Sequence, residues 1–397
     1  MNKKISLGVA IMFMCLAVAV TIPITMLLTM GISNSKMDAV NERQATFDKI
    51  DEINKIIRKN YNGEIDETVL LDCISEGFAI GIGDAYAEYY TAAEYSELKD
   101  DLNGKVVGIG VTSTRDTEGY ARITSVFADS PAEVSGLQKG DQIVKIGEID
   151  VLTNYSQAMA ALKGDAGQSV MVTYRRAGED VTVEVTRRKI TVPTVESEML
   201  DGDIAYIKIT EFTSATVNQF ESAVGAALDK KAKGIIFDIR NNGGGTLKVA
   251  AQMIDIVVPE GPVVSSVDKN GKTKVMYTSD SAELNVPIVI LTNKGTASAA
   301  ELFAAAIRDY GKAKIVGSNT YGKGVLQDIY SLDDGSAIKI TTAQFNPPKS
   351  ENFDGVGIKP DFVVDLTAEQ EKTWYELDYT TDPQLIKALS VVKALNK

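Results

Sequence analysis

Histidine is absent from the chain. That single gap excludes the Ser-His-Asp triad, the Cys-His pair and the HExxH zinc site, each of which needs an imidazole as base or ligand. Cysteine is nearly absent as well: of the two residues, Cys15 lies within an apolar run, so Cys73 has no partner for an internal disulfide. Thiolate metal sites need several ligands and are excluded with it. Positive charge is in deficit, with 41 Lys and Arg against 54 Asp and Glu, a net charge of −13. A surface of that sign repels nucleic acid and anionic lipid headgroups, so no nucleic-acid partner is expected. Any hydrolytic chemistry must come from Ser, Thr, Lys, Asp, Glu or Tyr.

What is present begins with an uncharged, mostly apolar run from Ile5 to Ile32, preceded by Lys3 and Lys4. A spanning helix needs about 20 apolar residues and a signal-peptide core about 7–15, so the run predicts a single transmembrane anchor over residues 1–34. Pro23 is tolerable in such a helix. The basic flank keeps the N-terminus in the cytoplasm, which makes the protein single-pass in the cell membrane with an extracytoplasmic body. The plain alternative, a long cleaved signal peptide, also places the body outside the cytoplasm.

The whole chain has 397 residues and 44% hydrophobic content, enough to bury two or three cores. Residues 35–102 read as a helical region: Phe47, Ile50, Ile53 and Ile56–Ile57 recur at helical spacing, a second stretch spans Glu67–Ile80, and Gly81–Gly83 break it before Tyr86, Tyr89 and Tyr90. Residues 103–190 read as a compact β-rich module. Its expected strands are Val106–Val111, Ala121–Val126, Gln142–Ile146, Val170–Tyr174 and Val181–Val185, with one helix at Tyr155–Leu162. Over residues 191–367 strand and helix alternate: Ile204–Ile209, Ser214–Leu228, Gly234–Ile239, Leu247–Ile256, Val286–Leu291, Ala297–Tyr310 and Ala313–Val316. That alternation predicts an α/β fold with a mostly parallel, sandwiched sheet whose ligands bind at the carboxyl ends of strands. Residues 368–397 form a C-terminal helical segment, and the two helical ends could mediate a homodimer.

Three stretches carry candidate chemistry. Thr296-Ala297-Ser298-Ala299-Ala300-Glu301 joins a buried strand to a helix, which puts a serine hydroxyl at the positive end of a helix among free backbone amides. The plain alternative is an N-cap, the commonest use of serine there. Gly317-Ser318-Asn319-Thr320-Tyr321-Gly322-Lys323-Gly324 nearly matches a P-loop, but Gly324 replaces the magnesium-binding Ser or Thr and Val325–Tyr330 reads as strand, so a nucleotide site is rejected. What remains is a lysine that desolvation can turn into a neutral base, against the alternative of a surface turn. Asn241-Asn242-Gly243-Gly244-Gly245 follows a strand and lets backbone amides approach a ligand, or is merely a turn. Each is weak alone. All three fall at carboxyl ends of strands in one α/β unit, where a nucleophile, a base and oxyanion donors can meet.

These residues also carry a resemblance to the C-terminal processing, or tail-specific, serine proteases. The resemblance covers nearly everything after the anchor and implies a helical N-terminal region, an inserted PDZ domain and a ClpP/crotonase-like protease core. Lys294–Glu301 resembles the nucleophile motif, which implies Ser298 as nucleophile. Gly322-Lys323-Gly324-Val325-Leu326-Gln327 resembles the base motif and implies Lys323 as general base with Gln327 orienting its amine. Asp238–Gly245 resembles the family's strand and glycine loop, and implies an oxyanion hole from the amides of Gly244 and Ala299. Ser130-Pro131-Ala132, Gly136-Leu137, Gly140-Asp141 and Ile146 are similar to a PDZ core, and Gly108-Ile109-Gly110-Val111 resembles the loop that binds a C-terminal carboxylate. Gly357-Ile358-Lys359-Pro360-Asp361 matches a late core signature. The chain departs from the pattern at Gly243, where proline is usual, at Ala300, where serine is common, and over Gln344–Asp354, a change expected to alter the substrate groove. The expectation is a Ser-Lys endopeptidase acting on proteins or peptides with free C-termini, needing no metal or cofactor. The competing expectation is a non-enzymatic, membrane-anchored PDZ scaffold, which has no use for Ser298, Lys323 and Gln327 together.

Overall fold

A computed structural model of the chain describes Thr21, Thr25, residues 44–374 and residues 377–396. They form two compact units divided between Leu71 and Asp72. In the first unit residues 44–60 are helical, and Arg58 closes on Glu67 with two hydrogen bonds of 2.7 Å. Apart from Thr21 and Thr25, the expected anchor lies outside the described residues. Among the described residues, no helix is long and apolar enough to cross a membrane.

The second unit holds the rest. Residues 72–102 are not purely helical: the strand Glu88–Tyr90 interrupts them and pairs antiparallel with residues 337–339. Two tyrosines suit a half-buried pleated surface, and Glu88 meets Lys339 across the pair at 2.5 Å. The helix Ala92–Leu102 follows, started by a Thr91/Glu94 capping box.

The β-rich module has consecutive antiparallel strands Val111–Arg115, Ala121–Val126, Gln142–Ile146, Ser169–Arg176 and Glu179–Thr186. Ile123, Ile143, Ile146, Val172 and Val185 fill its core. The entering strand Lys105–Gly108 pairs with the leaving strand Arg188–Thr191, so both ends of the module meet at one ribbon. The single strand expected over Val106–Val111 is broken at Gly110. Its φ is 87°, and an added Cβ would lie 2.3 Å from Ser130 Cβ, so only glycine fits.

The main sheet has six strands in chain order: β1 (Val195–Leu200), β2 (Ile204–Ile209), β3 (Gly234–Asp238), β4 (Ile288–Thr292), β5 (Ala313–Gly317) and β6 (Phe362–Val363). β1 runs antiparallel to β2 and every other pairing is parallel. Every residue of β3 and β4 is buried, which is why these runs read as continuously apolar rather than alternating. Helices Thr216–Asp229, Leu247–Asp255 and Ala299–Asp309 cover one face, where Phe212, Phe220, Phe237 and Phe303 pack ring to ring. The other face is covered by the helix Pro383–Leu395, through Leu385, Ala388 and Val392. That helix therefore spends its apolar face within the chain, and a dimer formed at this end would have to use its opposite side.

A second sheet of five strands joins Glu88–Tyr90, Ala337–Asn346, Gly261–Asp268 and Thr273–Ser279, with Val325–Ser331 also paired to Ala337–Asn346. Only Val325–Tyr330 was legible beforehand. Because Val325–Ser331 is a strand, Gly317–Gly324 opens no helix and lacks the geometry of a P-loop.

Candidate active site

Ser298 sits between β4 and the helix Ala299–Asp309 with φ 57° and ψ −119°. A capping serine usually takes an extended conformation; Ser298 holds the N-cap position and shares a capping box with Glu301, but from a positive-φ backbone that capping does not require. Non-glycine residues pay roughly 1–3 kcal/mol for such a conformation and keep it only where the surroundings impose it.

The surroundings that impose it centre on Glu301, whose position three residues after Ser298 was visible in the sequence but to which no role was given. The Glu301 carboxylate is fully buried. Its Oε2 accepts the backbone N–H of Ser298 at 2.8 Å and that of Lys323 at 2.8 Å. Its Oε1 accepts the N–H of Gly322 at 2.7 Å and the Thr320 hydroxyl at 2.5 Å. One oxygen atom thus ties the backbone of the proposed nucleophile to that of the proposed base. Tyr321 N–H adds a bond to Thr296 O at 3.0 Å.

Lys323 is half-buried between Gly322 and Gly324. Gly322 has φ 91° and would clash with the backbone of Gly357, at 2.7 Å from an added Cβ. Gly324 is gripped on both sides: its N–H donates to Asp354 at 2.9 Å and its carbonyl accepts from Asn352 at 2.9 Å. Residues 344–354, the stretch that departs from the resembled pattern, therefore clamp the base loop. Burial, then the charge of Lys339, holds the Lys323 amine below the usual lysine range, and Asp84 opposes them. The amine lies over the ring of Tyr86, 4.3 Å from its centroid. Gln327 does not bond to it in this structure. Its Nε2 donates instead to Val325 O at 3.2 Å and to the Thr341 hydroxyl at 3.3 Å.

The glycine loop reaches the same place. Ala297 N–H donates to Asn242 O at 3.0 Å, and an added Cβ on Gly244, whose φ is 104°, would lie 3.0 Å from both Ser298 Cβ and Ala299 N. The two expected oxyanion donors differ. Ala299 N–H belongs to a first helical turn, which has no intrahelical acceptor. Gly244 N–H is bonded to Asn242 Oδ1 at 2.8 Å, so this amide is occupied, not open. Below the loop, Arg240 bridges Asp238 and Asp382 in a buried cluster, each at 2.6 Å. Burial alone would raise the Asp238 carboxyl, but Arg240 outweighs it and holds it below the usual range. Gly243, the departure from proline, has open space where a Cβ would stand and no positive φ. Gly243→Ala is expected to raise stability by about 0.4–1 kcal/mol by restricting the unfolded chain, read by denaturant unfolding; a loss of stability would mean the loop needs glycine here.

In the β-rich module, Gly108, Ile109, Gly110 and Val111 line a cavity of about 580 Å³ between the strand Val111–Arg115 and the helix Tyr155–Ala160. The carbonyls of Ile109 and Gly110 accept from Ala132 and Phe127 at 2.8 and 2.9 Å, turning the loop's acceptors into the domain. Phe127, Met159 and Leu162 make the wall apolar. A peptide can add here as a strand, its carboxylate at the loop.

Comparison with known proteins accords with this architecture. Residues 203–364 match peptidase family S41 and residues 106–186 match the PDZ domain. The chain is 32% identical over 365 residues to a "Probable CtpA-like serine protease" of Staphylococcus epidermidis, covering 91% of this chain and 74% of that one. It is 31% identical over 360 residues to the carboxy-terminal processing protease CtpA of Bacillus subtilis, covering 90% and 77%. A solved S41 protease structure from Bacteroides fragilis shares the fold, with a TM-score of 0.56 at 17% identity over 81% of this chain and 90% of that one. The chain belongs to the carboxy-terminal processing proteases of peptidase family S41, and is a serine-type endopeptidase.

Proposed function

We propose that the protein cuts polypeptides at or near their C-termini with a Ser298–Lys323 dyad, and that its PDZ groove recruits the substrate's tail. Neutral Lys323 takes the Ser298 proton as the hydroxyl attacks the scissile carbonyl. Ala299 N–H stabilises the oxyanion, joined by Gly244 N–H once it leaves Asn242. Protonated Lys323 gives its proton to the leaving amine as the C–N bond breaks, and, neutral again, it deprotonates the water that hydrolyses the acyl-enzyme, while Gln327 orients the lysine amine. The reading is carried by one observation: Glu301 Oε2 accepts the backbone N–H of both Ser298 and Lys323, where a capping box needs only the bond to Ser298. The Ile5–Ile32 run supports a single-pass anchor with this body outside the cytoplasm.

The tail reading is tested with one disordered polypeptide bearing a free or an amidated C-terminus. Losing the carboxylate removes charge-assisted bonds worth about 1.5–3 kcal/mol, so amidation is expected to raise KM about 10-fold or more at unchanged kcat. Equal KM values would sink tail recruitment and leave the dyad standing. The dyad has its own signature: kcat rises with pH as Lys323 deprotonates and levels off below the usual lysine value of 10.5, because its pKa is lowered. A rate still climbing steeply beyond that value would remove Lys323 as the base.

A further inference from the structure

The turn Gly83–Tyr86 lies outside both matched segments, 106–186 and 203–364, yet it reaches the base. It is held there because the strand that follows it, Glu88–Tyr90, is hydrogen-bonded into the second sheet beside Ala337–Asn346. Asp84 Oδ2 accepts the backbone N–H of Thr341 at 2.7 Å, and Asp84 Oδ1 accepts the Thr341 hydroxyl at 3.0 Å. Thr341 stands directly opposite Gln327 across the strand pair. The same Asp84 Oδ1 takes Tyr86 N–H at 3.0 Å, which sets the aromatic ring under the Lys323 amine.

Counting protons along this chain fixes the orientation of Gln327. An ionised carboxylate only accepts, so the Thr341 proton must point at Asp84. The Thr341 oxygen is then an acceptor, and only the NH2 of Gln327 can face it. The other amide hydrogen goes to Val325 O, so both donors are spent and Oε1 is left as the acceptor. An acceptor is what a lysine amine, which can only donate when charged, requires of a group that orients it.

We propose that Asp84 is a positioning residue of the catalytic site: acting through the Thr341 hydroxyl, it fixes Gln327 with its carbonyl oxygen available to Lys323. The inference rests on the assignment of Lys323 as base. Asp84 also acts by charge. Around Lys323 the charged groups are Asp84, Lys339, which is itself paired with Glu88, and Glu301, bound to its backbone. Asp84 is the group that favours the protonated lysine, so removing its charge lets Lys323 deprotonate at lower pH.

Four variants of the full chain, assayed on a disordered fluorogenic polypeptide with a free C-terminal valine, separate these effects. Thr341→Val breaks the relay and keeps the charge: kcat is expected to fall about 10- to 100-fold, the scale of misplacing a reacting group, with KM unchanged and the midpoint of the kcat–pH profile unmoved. Thr341→Ser keeps the hydroxyl and should restore kcat to within about threefold. Asp84→Asn should lower kcat similarly and move the midpoint to lower pH. If Thr341→Val retains kcat within twofold, the relay is wrong, whether or not Asp84→Asn folds. If Thr341→Ser is as impaired as Thr341→Val, the hydroxyl is not the link and the inference falls. Lys323→Ala distinguishes the two layers: cleavage surviving it overturns the base assignment and this inference with it, whereas an inactive Lys323→Ala beside an unimpaired Thr341→Val overturns the relay alone.

Discussion

Ser298→Ala is expected to abolish cleavage, with kcat falling at least about 10⁴-fold, as removal of a covalent nucleophile does elsewhere, while stability changes little. The two readouts together decide between the two uses of a serine at a helix start. If the hydroxyl were chiefly a cap, alanine would cost about 0.5–2 kcal/mol of stability and spare activity in proportion. The backbone argues for the other outcome: Ser298 shares a capping box with Glu301, but φ 57° with ψ −119° is not the extended conformation that caps usually take. Ser298→Gly sharpens the test. Glycine takes a positive φ without the penalty that a Cβ brings, so it relieves strain of roughly 1–3 kcal/mol against an entropic cost of about 0.5–1 kcal/mol. The glycine variant should therefore be inactive yet about 1 kcal/mol more stable than the alanine variant in denaturant unfolding. An active Ser298→Ala would falsify the nucleophile assignment. A glycine variant no more stable than alanine would remove the strain argument while leaving the chemistry to the activity result.

The sequence made parts of this site legible and hid others for identifiable reasons. Buried parallel strands announce themselves as apolar runs, so the sheet from β2 to β5 could be placed within a residue or two. Ser298, Lys323 and the glycine loop could be found because each sits where such a strand ends. Apart from Val325–Tyr330, the strands of the second sheet were not legible, although Ala337–Asn346 places Ile338, Ile340 and Phe345 among polar neighbours. Antiparallel strands with one wet face mix Thr, Lys and Gln among their apolar residues and look like loops when read for apolar runs alone. Asp84 and Thr341 could not be paired from the sequence at all, since 257 residues separate them. A side chain's hydrogen-bond partner across such a distance is set by sheet register, which no local pattern encodes. The same applies to Gln327, whose place on the base strand was legible but whose bond to Thr341 was not.

Glu301→Gln carries the other large expected effect, and it can be argued atom by atom. The wild-type carboxylate has no solvent exposure and receives four donors, two on each oxygen. The amide is the same shape but brings an NH2 to one of those two places. If the nitrogen takes the Oε2 position, it faces the N–H groups of Ser298 and Lys323, and both are left without an acceptor. If it takes the Oε1 position, the Thr320 hydroxyl can turn to accept from it, but Gly322 N–H still has no acceptor. Thr320 oxygen must in that case accept two donors at once, since Ile358 N–H already reaches it at 2.6 Å. Even the better orientation strands one buried N–H, which costs about 1–3 kcal/mol, and weakens the remaining bonds by removing the charge that assists them. A total near 2–4 kcal/mol is expected in denaturant unfolding. Activity should suffer beyond that, because the carboxylate is the joint between nucleophile and base, and a displacement of about 1 Å at a reacting group can cost 10²-fold. The prediction is a loss of at least about 100-fold in kcat/KM in protein that remains folded at the assay temperature, with slower labelling of Ser298 by a serine-reactive phosphonate. Wild-type unfolding and cleavage within threefold of wild type would mean that the two loops are held together without Glu301, and the bonds from Tyr321 to Thr296 and from Ala297 to Asn242 would then have to do so alone.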